Sequence, residues 1–199
     1  MKKGGNANHP QKGSTIKVEP IRKLQDIKAL KTMLGDQARN MALFVVGINT
    51  NLRASDLLAL TVDQVAGLKP MDEIEIREKK TGKARRVSLN KACIAAIDKW
   101  LVEPDAPKWG EYLFKSRRGD RLTVSSVHRL VKGWCRDINL QGNYGSHTLR
   151  KTWGYHQRVT FGMGLPELMV AFNHSTQKQT LDYLCIQPEE IKSIYANVL

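Results

Sequence analysis

Residues 145–184 read GSHTLRKTWGYHQRVTFGMGLPELMVAFNHSTQKQTLDYL. His147 and Arg150 stand three residues apart, so a helix beginning at His147 sets the imidazole and the guanidinium on one face, open to one pocket. Downstream, Leu165, Leu168, Met169 and Phe172 recur at helical spacing, and Ser175 or Thr176 is placed to start a short helix leading through Leu181 to Tyr183. Trp153 and Tyr155 read as packing anchors. The stretch thus strings His147, Arg150, His174 and Tyr183 along successive helical segments. A phenol with an ordinary pKa of about 10 is a poor nucleophile. Cationic donors around a phosphodiester stabilise both a phenolate and the transition-state oxygens, so the set fits covalent attack by Tyr183 on a nucleic-acid backbone.

Upstream, residues 1–20 carry Lys2, Lys3 and Lys12 among Gly4, Gly5, Pro10, Gly13 and Pro20, with few apolar side chains. They read as a flexible basic tail, and residues 21–199 as one domain. Ile21, Leu24, Ile27, Leu30 and Leu34 predict an amphipathic helix from Ile21 to Leu34. Asp36 is read as the cap of a second helix, whose Met41, Leu43, Phe44, Val45 and Ile48 enter the core. The chain turns near Asn49 and Asn51, and Leu57, Leu58 and Leu60 pack a further helix that Arg53 approaches. Taken alone, Arg53 reads as exposed or paired with Asp56.

Ile74 with Ile76, and Val87 with Leu89, predict two short strands joined by a hairpin turn at Thr81 and Gly82. The hairpin carries Lys79, Lys80, Lys83, Arg85 and Arg86 and suits a nucleic-acid groove. Lys80 sits just before the turn, where a strand fixes its stem while the amine reaches a leaving oxygen. Asn90 is placed to cap a helix containing Ala92, Ile94, Ala95, Ile97 and Leu101. A second basic loop, with Lys115, Arg117, Arg118 and Arg121 around Gly119, precedes a helix introduced by Ser125 and Ser126. Val127, Leu130, Val131 and Trp134 form its buried stripe, and Lys132 and Arg136 on the other face read either as covering phosphates or as a solvated periphery. Pro188 opens a final helix, with Ile191, Ile194, Tyr195 and Val198 on one side, which closes its own core or docks onto a neighbouring subunit. Tyr195 reads as a packing residue. The whole is a mixed fold, mainly α-helical with a small antiparallel β-sheet.

The 199 residues suffice for one substantial core. A formal net charge of +13, from 32 Lys and Arg against 19 Asp and Glu, favours a polyanionic partner and salt-sensitive encounter. No apolar run is long enough to span a bilayer, and no hydrophobic leader opens the chain. Cys93, Cys135 and Cys185 are odd in number and far apart, which suits reduced, intracellular, packed thiols better than a disulfide framework. There is no phosphate-binding loop, dinucleotide fingerprint or metal-ligand motif, and Gly162 and Gly164 are too sparse to cradle a nucleotide. Neither ATP nor any other cofactor or metal is expected.

In sequence order these motifs resemble the tyrosine recombinase, or phage integrase, family, specifically its catalytic domain. Arg53 in NLRASDLLAL resembles the first catalytic-arginine motif and Lys80 in KKTGK the reactive-lysine hairpin. His147 and Arg150 in HTLR resemble the second catalytic box, His174 in FNHS the later histidine, and Tyr183 in TLDY the nucleophile. Two local departures are Asp56, where glutamate is often found, and FNH in place of leucine-glycine-histidine.

The resemblance implies the family's catalytic-domain fold and a metal-independent, site-specific recombinase. Tyr183 would attack the scissile phosphate to give a 3′-phosphotyrosine and a free 5′-hydroxyl. Arg53 and Arg150 would hold the nonbridging oxygens, and His174 would donate a further hydrogen bond. His147 would position the phosphate or assist proton transfer, and Lys80 would protonate the leaving oxygen. It further implies double-stranded DNA recombination sites as substrate, a homo-tetrameric synapse, a possible accessory DNA-binding protein, and a cytoplasmic, nucleoid-associated location in a bacterial or phage-infected cell. Two alternatives share these residues: a recombination accessory protein that binds DNA without efficient cleavage, and a type IB topoisomerase-like enzyme.

Overall fold

The computed structural model describes residues 17–79, 82–116, 119–185, 193–196 and 198. Among them the elements run α1 (Leu24–Met33), α2 (Ala38–Asn49), α3 (Ala54–Leu57), α4 (Val62–Val65), β1 (Glu73–Arg77), β2 (Ala84–Ser88), α5 (Lys91–Leu101), α6 (Val124–Asp137), α7 (Thr148–Val159), α8 (Leu165–Phe172) and α9 (Gln177–Leu184). A short 3₁₀ turn, Ser193–Ala196, follows. No helix among the described residues is long and apolar enough to cross a membrane.

Helix α2 is the axis of the fold. Ala42, Leu43, Phe44, Val45, Val46 and Ile48 are buried on all its sides, as expected of a helix apolar around its circumference, and it packs against both α5 and α7. At Gly47 the two helices touch: a β-carbon there would lie 2.6 Å from Leu149 Cδ1, so only hydrogen fits. Asn90 caps α5 as its position predicts, its Oδ1 accepting from the backbone N–H groups of Ala92 at 3.1 Å and Cys93 at 3.0 Å. Strands β1 and β2 pair antiparallel, Ile74 opposite Val87 and Ile76 opposite Arg85, and bury Ile74, Ile76 and Val87 on one face. Gly82 takes the positive φ, 69°, that the return of the hairpin requires. Its expected neighbour in the turn, Thr81, lies outside the described residues.

Several boundaries differ from the sequence reading. Helix α1 starts at Leu24 rather than Ile21, because the backbone of Ile21 is engaged elsewhere. Its N–H donates to Thr152 Oγ1 at 2.9 Å, and its carbonyl oxygen lies 2.9 Å from His156 Nε2. Leu24 therefore falls outside the buried stripe and is 59% exposed. Asp36 does not cap α2; Gln37 holds that position, without a side-chain cap bond. Helix α6 begins one residue before the serines, with Thr123 as cap, its Oγ1 accepting from Ser126 N at 3.1 Å. Residues 17–20, read with the basic tail, are joined to the body, Glu19 N donating to Asn143 O at 2.7 Å. Most of the expected terminal helix lies outside the described residues. Tyr195, read as a packing residue, stands instead on the 3₁₀ turn and is 85% exposed, meeting no apolar core among the described residues.

The apolar interior has two parts. A large core extends from Ile21 to Leu149. A small second one, Leu168, Phe172 and Leu184, lies under α8 and α9 and is flanked by Trp153, Leu165 and Tyr183. Gly154 on α7 is where this second layer seats, since a β-carbon there would collide with the Phe172 ring and lie 3.0 Å from Leu184 Cδ2. Gly154→Ala is expected to cost about 1–3 kcal/mol through overpacking. An unchanged urea midpoint would show that the layer is not seated so closely.

Candidate active site

Helices α7 and α9, the residue before α3, the turn after α8 and the hairpin converge on one cavity of about 790 Å³. Among the described residues its wall carries the cations Lys17, Arg53, Lys83, Arg150 and Lys151, with Asp182 as the carboxylate. His147, His174 and Tyr183 complete the reactive part of the lining. Five of the six catalytic candidates read from the sequence, all but Lys80, are thus brought together from segments far apart in the chain. Lys80 lies outside the described residues, as do Arg117 and Arg118.

Arg53 stands at the start of α3, with its Nη1 2.7 Å from Glu78 Oε2 and 3.8 Å from Asp56 Oδ2. Both carboxylates are almost wholly buried, and Arg85 reaches the other oxygen of Glu78 at 3.5 Å. Two arginines and two carboxylates thus offset one another's charge where desolvation is expensive. The network also grips the hairpin, because Asp56 Oδ1 accepts from Lys79 N at 3.1 Å. Among the described residues the buried Arg53 Nη1 has ion pairs but no hydrogen bond.

Arg150 lies in the first turn of α7 and is 3% exposed. Its Nε donates to Asn51 Oδ1 at 3.0 Å and its Nη2 to Phe172 O at 3.0 Å. Burial pushes its pKa down to about 10, with Arg53 and Arg85 acting in the same direction and Tyr183 opposing them. It remains a cation at neutral pH. His147 precedes it as the N-cap residue of α7, exposed to solvent at the cavity rim. The N-terminal end of a helix favours an anion beside it.

His174 follows the left-handed Asn173 that terminates α8. Its ring stacks on Phe172 with centroids 5.0 Å apart, and its Nδ1 lies 3.0 Å from the buried Thr180 Oγ1. Burial, then Arg150 and Arg53, lower its pKa, so the ring is neutral at pH 7. Tyr183 stands on α9 against these groups, 5.0 Å from the Phe172 ring and 5.5 Å from that of His174. Lys151 Nζ sits 5.0 Å from the tyrosine ring centre and the Arg150 guanidinium 5.8 Å, both over its electron-rich face. The Tyr183 hydroxyl is buried and has no hydrogen-bond partner among the described residues. Burial pushes its pKa up to about 12, against the pull of Arg150 and Arg53. A buried hydroxyl without a partner costs about 1–3 kcal/mol.

The peripheral basic residues separate into groups. Lys83 reaches the cavity from the hairpin, whereas Arg85 turns inward to Glu78 and departs from the expected groove-facing position. It does so because the buried carboxylate needs a counter-charge. Arg86 is exposed, 3.9 Å from Glu75. Lys79 and Arg121 line a second hollow, where Arg121 lies over the Tyr112 ring at 5.1 Å. Lys132 lies apart, beside Arg129 and Arg136 on α6. Asn51, Glu78, Lys151 and Thr180 were not among the sequence candidates, although Lys151 directly follows Arg150 and that adjacency was the available signal. Cys93 and Cys135 are buried, as their neighbours predict, and burial pushes both thiols up to about 12. Among the described residues no group of three His, Cys, Asp or Glu side chains is arranged to hold a metal ion.

Residues 21–190 match the model of the phage integrase family. The chain belongs to this family. It is 34% identical over 183 residues to the probable integrase/recombinase YoeC of Bacillus subtilis, a match that covers 89% of this chain and 95% of that protein. It is 29% identical over 157 residues to the tyrosine recombinase XerC of Caldanaerobacter subterraneus, covering 77% of this chain but 43% of that one. Among solved structures, the XerH site-specific recombinase in a post-cleavage complex with its palindromic difH substrate superposes with a TM-score of 0.74 at 19% identity, over 93% of this chain and 54% of that one. This integrase-family chain therefore has the tyrosine recombinase catalytic-domain fold, mainly helical with its small antiparallel sheet.

Proposed function

We propose that this chain cleaves and rejoins DNA strands through a covalent tyrosyl intermediate, as a site-specific recombinase. The observation that carries the reading is the Tyr183 hydroxyl, buried without a partner in the wall of a cavity that also presents Arg53, Arg150, His147 and His174. A nucleophile whose hydrogen-bonding capacity is unused, beside cations that match a phosphodiester, suits attack on phosphorus. The resemblance to YoeC along most of both chains supports the same reading.

In the proposed reaction Tyr183 Oη bonds to the scissile phosphorus and the bond from phosphorus to the 5′ oxygen breaks. The phenolic proton leaves toward solvent or His147, and the departing 5′ oxygen takes a proton from Lys80, leaving a 5′-hydroxyl and a 3′-phosphotyrosine. Arg53, Arg150 and His174 donate to the nonbridging oxygens as charge builds there. A 5′-hydroxyl from another strand then attacks the phosphotyrosine and restores the phenol. Phosphate esters are exchanged one for one, so the step needs no energy input. A pair of DNA sites held by a tetramer, with or without an accessory protein, is the assembly in which such exchange would occur.

The reading is tested by capture on a pool of nicked duplexes, with the adduct resolved on a denaturing gel and mapped by peptide mass. A covalent peptide containing Tyr183 is expected. A protein that binds these duplexes but forms no adduct would be a binding-only accessory, and relaxation without exchange between sites would indicate a topoisomerase. Lys80→Ala is expected to slow cleavage of an ordinary strand about 100-fold, within the usual range for a general acid. It should cut a strand with sulfur at the 5′ bridging position at near the unsubstituted protein's rate, because a thiolate leaves without a proton. Equal slowing on both substrates would remove Lys80 from the acid role and direct attention to Lys83.

A further inference from the structure

The two cavity arginines are held by different chemistry. Arg53 is pinned by carboxylates, Glu78 and Asp56, which cancel part of its charge. Arg150 is pinned, among the described residues, by the neutral oxygens Asn51 Oδ1 and Phe172 O. We infer that Asn51 is a positioning residue that orients Arg150 without neutralising it, and ties that orientation to the segment bearing His174. The inference rests on the strand-cleavage reading above.

Asn51 lies in the turn between α2 and α3, two residues before Arg53. It is 1% exposed and has φ of 54°, a left-handed conformation that asparagine tolerates better than most residues. Both ends of its amide are used. Oδ1 accepts from Arg150 Nε, and Nδ2 donates to Ala171 O at 2.7 Å.

The second bond completes an account of the end of α8. The last carbonyls of a helix have no partner within the helix. Here Met169 O accepts from His174 N, Val170 O from Asn173 N, Ala171 O from Asn51 Nδ2 and Phe172 O from Arg150 Nη2. Asn51 and Arg150 therefore cap α8 together, at the turn from which His174 projects. A guanidinium has five N–H donors. Two are spent on these bonds, along one edge, and Arg150 meets the cavity with the remainder.

A neutral amide suits this place for two reasons. An aspartate would keep an acceptor for Arg150 but set a carboxylate against the cation intended for phosphate, and would leave Ala171 O without its donor. A glycine would take the left-handed backbone without strain but would leave Arg150 Nε and Ala171 O unbonded.

The test uses a nicked duplex cleaved by the unsubstituted protein and measures single-turnover adduct formation for Asn51→Gly, Asn51→Asp, Arg150→Ala and the double variant Asn51→Gly/Arg150→Ala. Thermal melting and duplex affinity are recorded alongside. Asn51→Gly is expected to slow cleavage about 10- to 100-fold, the scale of a misplaced catalytic group, with affinity changed by less than about threefold. The double variant should be no slower than Arg150→Ala alone, because the asparagine acts through that arginine. Asn51→Asp, nearly the same shape, should also be slowed. The inference is overturned if Asn51→Asp cleaves at the original rate or if the two defects multiply in the double variant. Should the glycine variant fail to fold, the aspartate variant decides by the same criterion. If the unsubstituted protein forms no Tyr183 adduct on any duplex, the cleavage reading itself falls, and the role of Asn51 with it.

Discussion

Tyr183→Phe is expected to abolish covalent capture of DNA while leaving affinity for the duplex within a few fold. The substitution removes one buried oxygen and keeps the ring, so the packing of Tyr183 against Phe172 and His174 and beneath Lys151 and Arg150 is retained. The lost hydroxyl makes no hydrogen bond among the described residues, so nothing is left unsatisfied by its removal. The variant should therefore melt no lower than the original protein, and removal of a buried orphan hydroxyl works toward higher stability by up to about 1–3 kcal/mol. Few active-site substitutions separate chemistry from folding so cleanly. Binding should still weaken steeply with salt, since the cations of the cavity are untouched. An adduct at normal yield would assign the nucleophile to another residue.

The second large effect concerns Arg150. Arg150→Ala is expected to reduce single-turnover cleavage by at least about 10²–10³-fold, equivalent to roughly 3–4 kcal/mol of transition-state stabilisation. Two losses combine. The guanidinium no longer donates to the phosphate oxygens, and Tyr183 loses the strongest influence holding its pKa below the level that burial alone would set. A phenol that ionises less readily attacks more slowly. Arg150→Lys should recover only part of the rate, because an ammonium cannot keep two N–H bonds to Asn51 and Phe172 while also presenting a flat, forked edge to phosphate. Loss of the arginine also leaves two acceptors unpaired, so a melting curve must accompany the kinetics. A folded, DNA-binding Arg150→Ala protein that cleaves at the original rate would exclude the arginine from the reaction.

That His147, Arg150 and Tyr183 share one cavity was legible in part from short local patterns: His147 and Arg150 one helical turn apart, and Tyr183 near the end of a short helix capped by Thr176. The hairpin was legible from alternation of apolar residues around a glycine, and α5 from its Asn90 cap. The residues that support the site were not legible, for a common reason. Asn51 meets Arg150 across 99 positions and Ala171 across 120, and Glu78 meets Arg53 across 25, so their roles exist only once the chain has folded. Arg85 looked like its exposed neighbours, and only the buried Glu78 carboxylate turns it inward. The start of α1 was misplaced for the same kind of reason: a helical apolar period includes Ile21, but long-range bonds to Thr152 and His156 use its backbone first.

The unequal sizes of the two cores give the molecule a graded response to heat. Tyr183 rides on α9 and His174 on the turn after α8, a layer whose buried apolar side chains among the described residues are Leu168, Phe172 and Leu184, whereas Arg53 and Arg150 are rooted in segments that pack into the large core. Regions with few buried contacts open at lower free energy than the whole. On warming, α8 and α9 are expected to open ahead of α2, α5 and α7, and hydrogen exchange that is no faster in α8 and α9 than in α2 would overturn this. Under the proposed function, that partly opened state would keep Arg53 and Arg150 for a polyanion while displacing Tyr183, a clamp in place of a cutter.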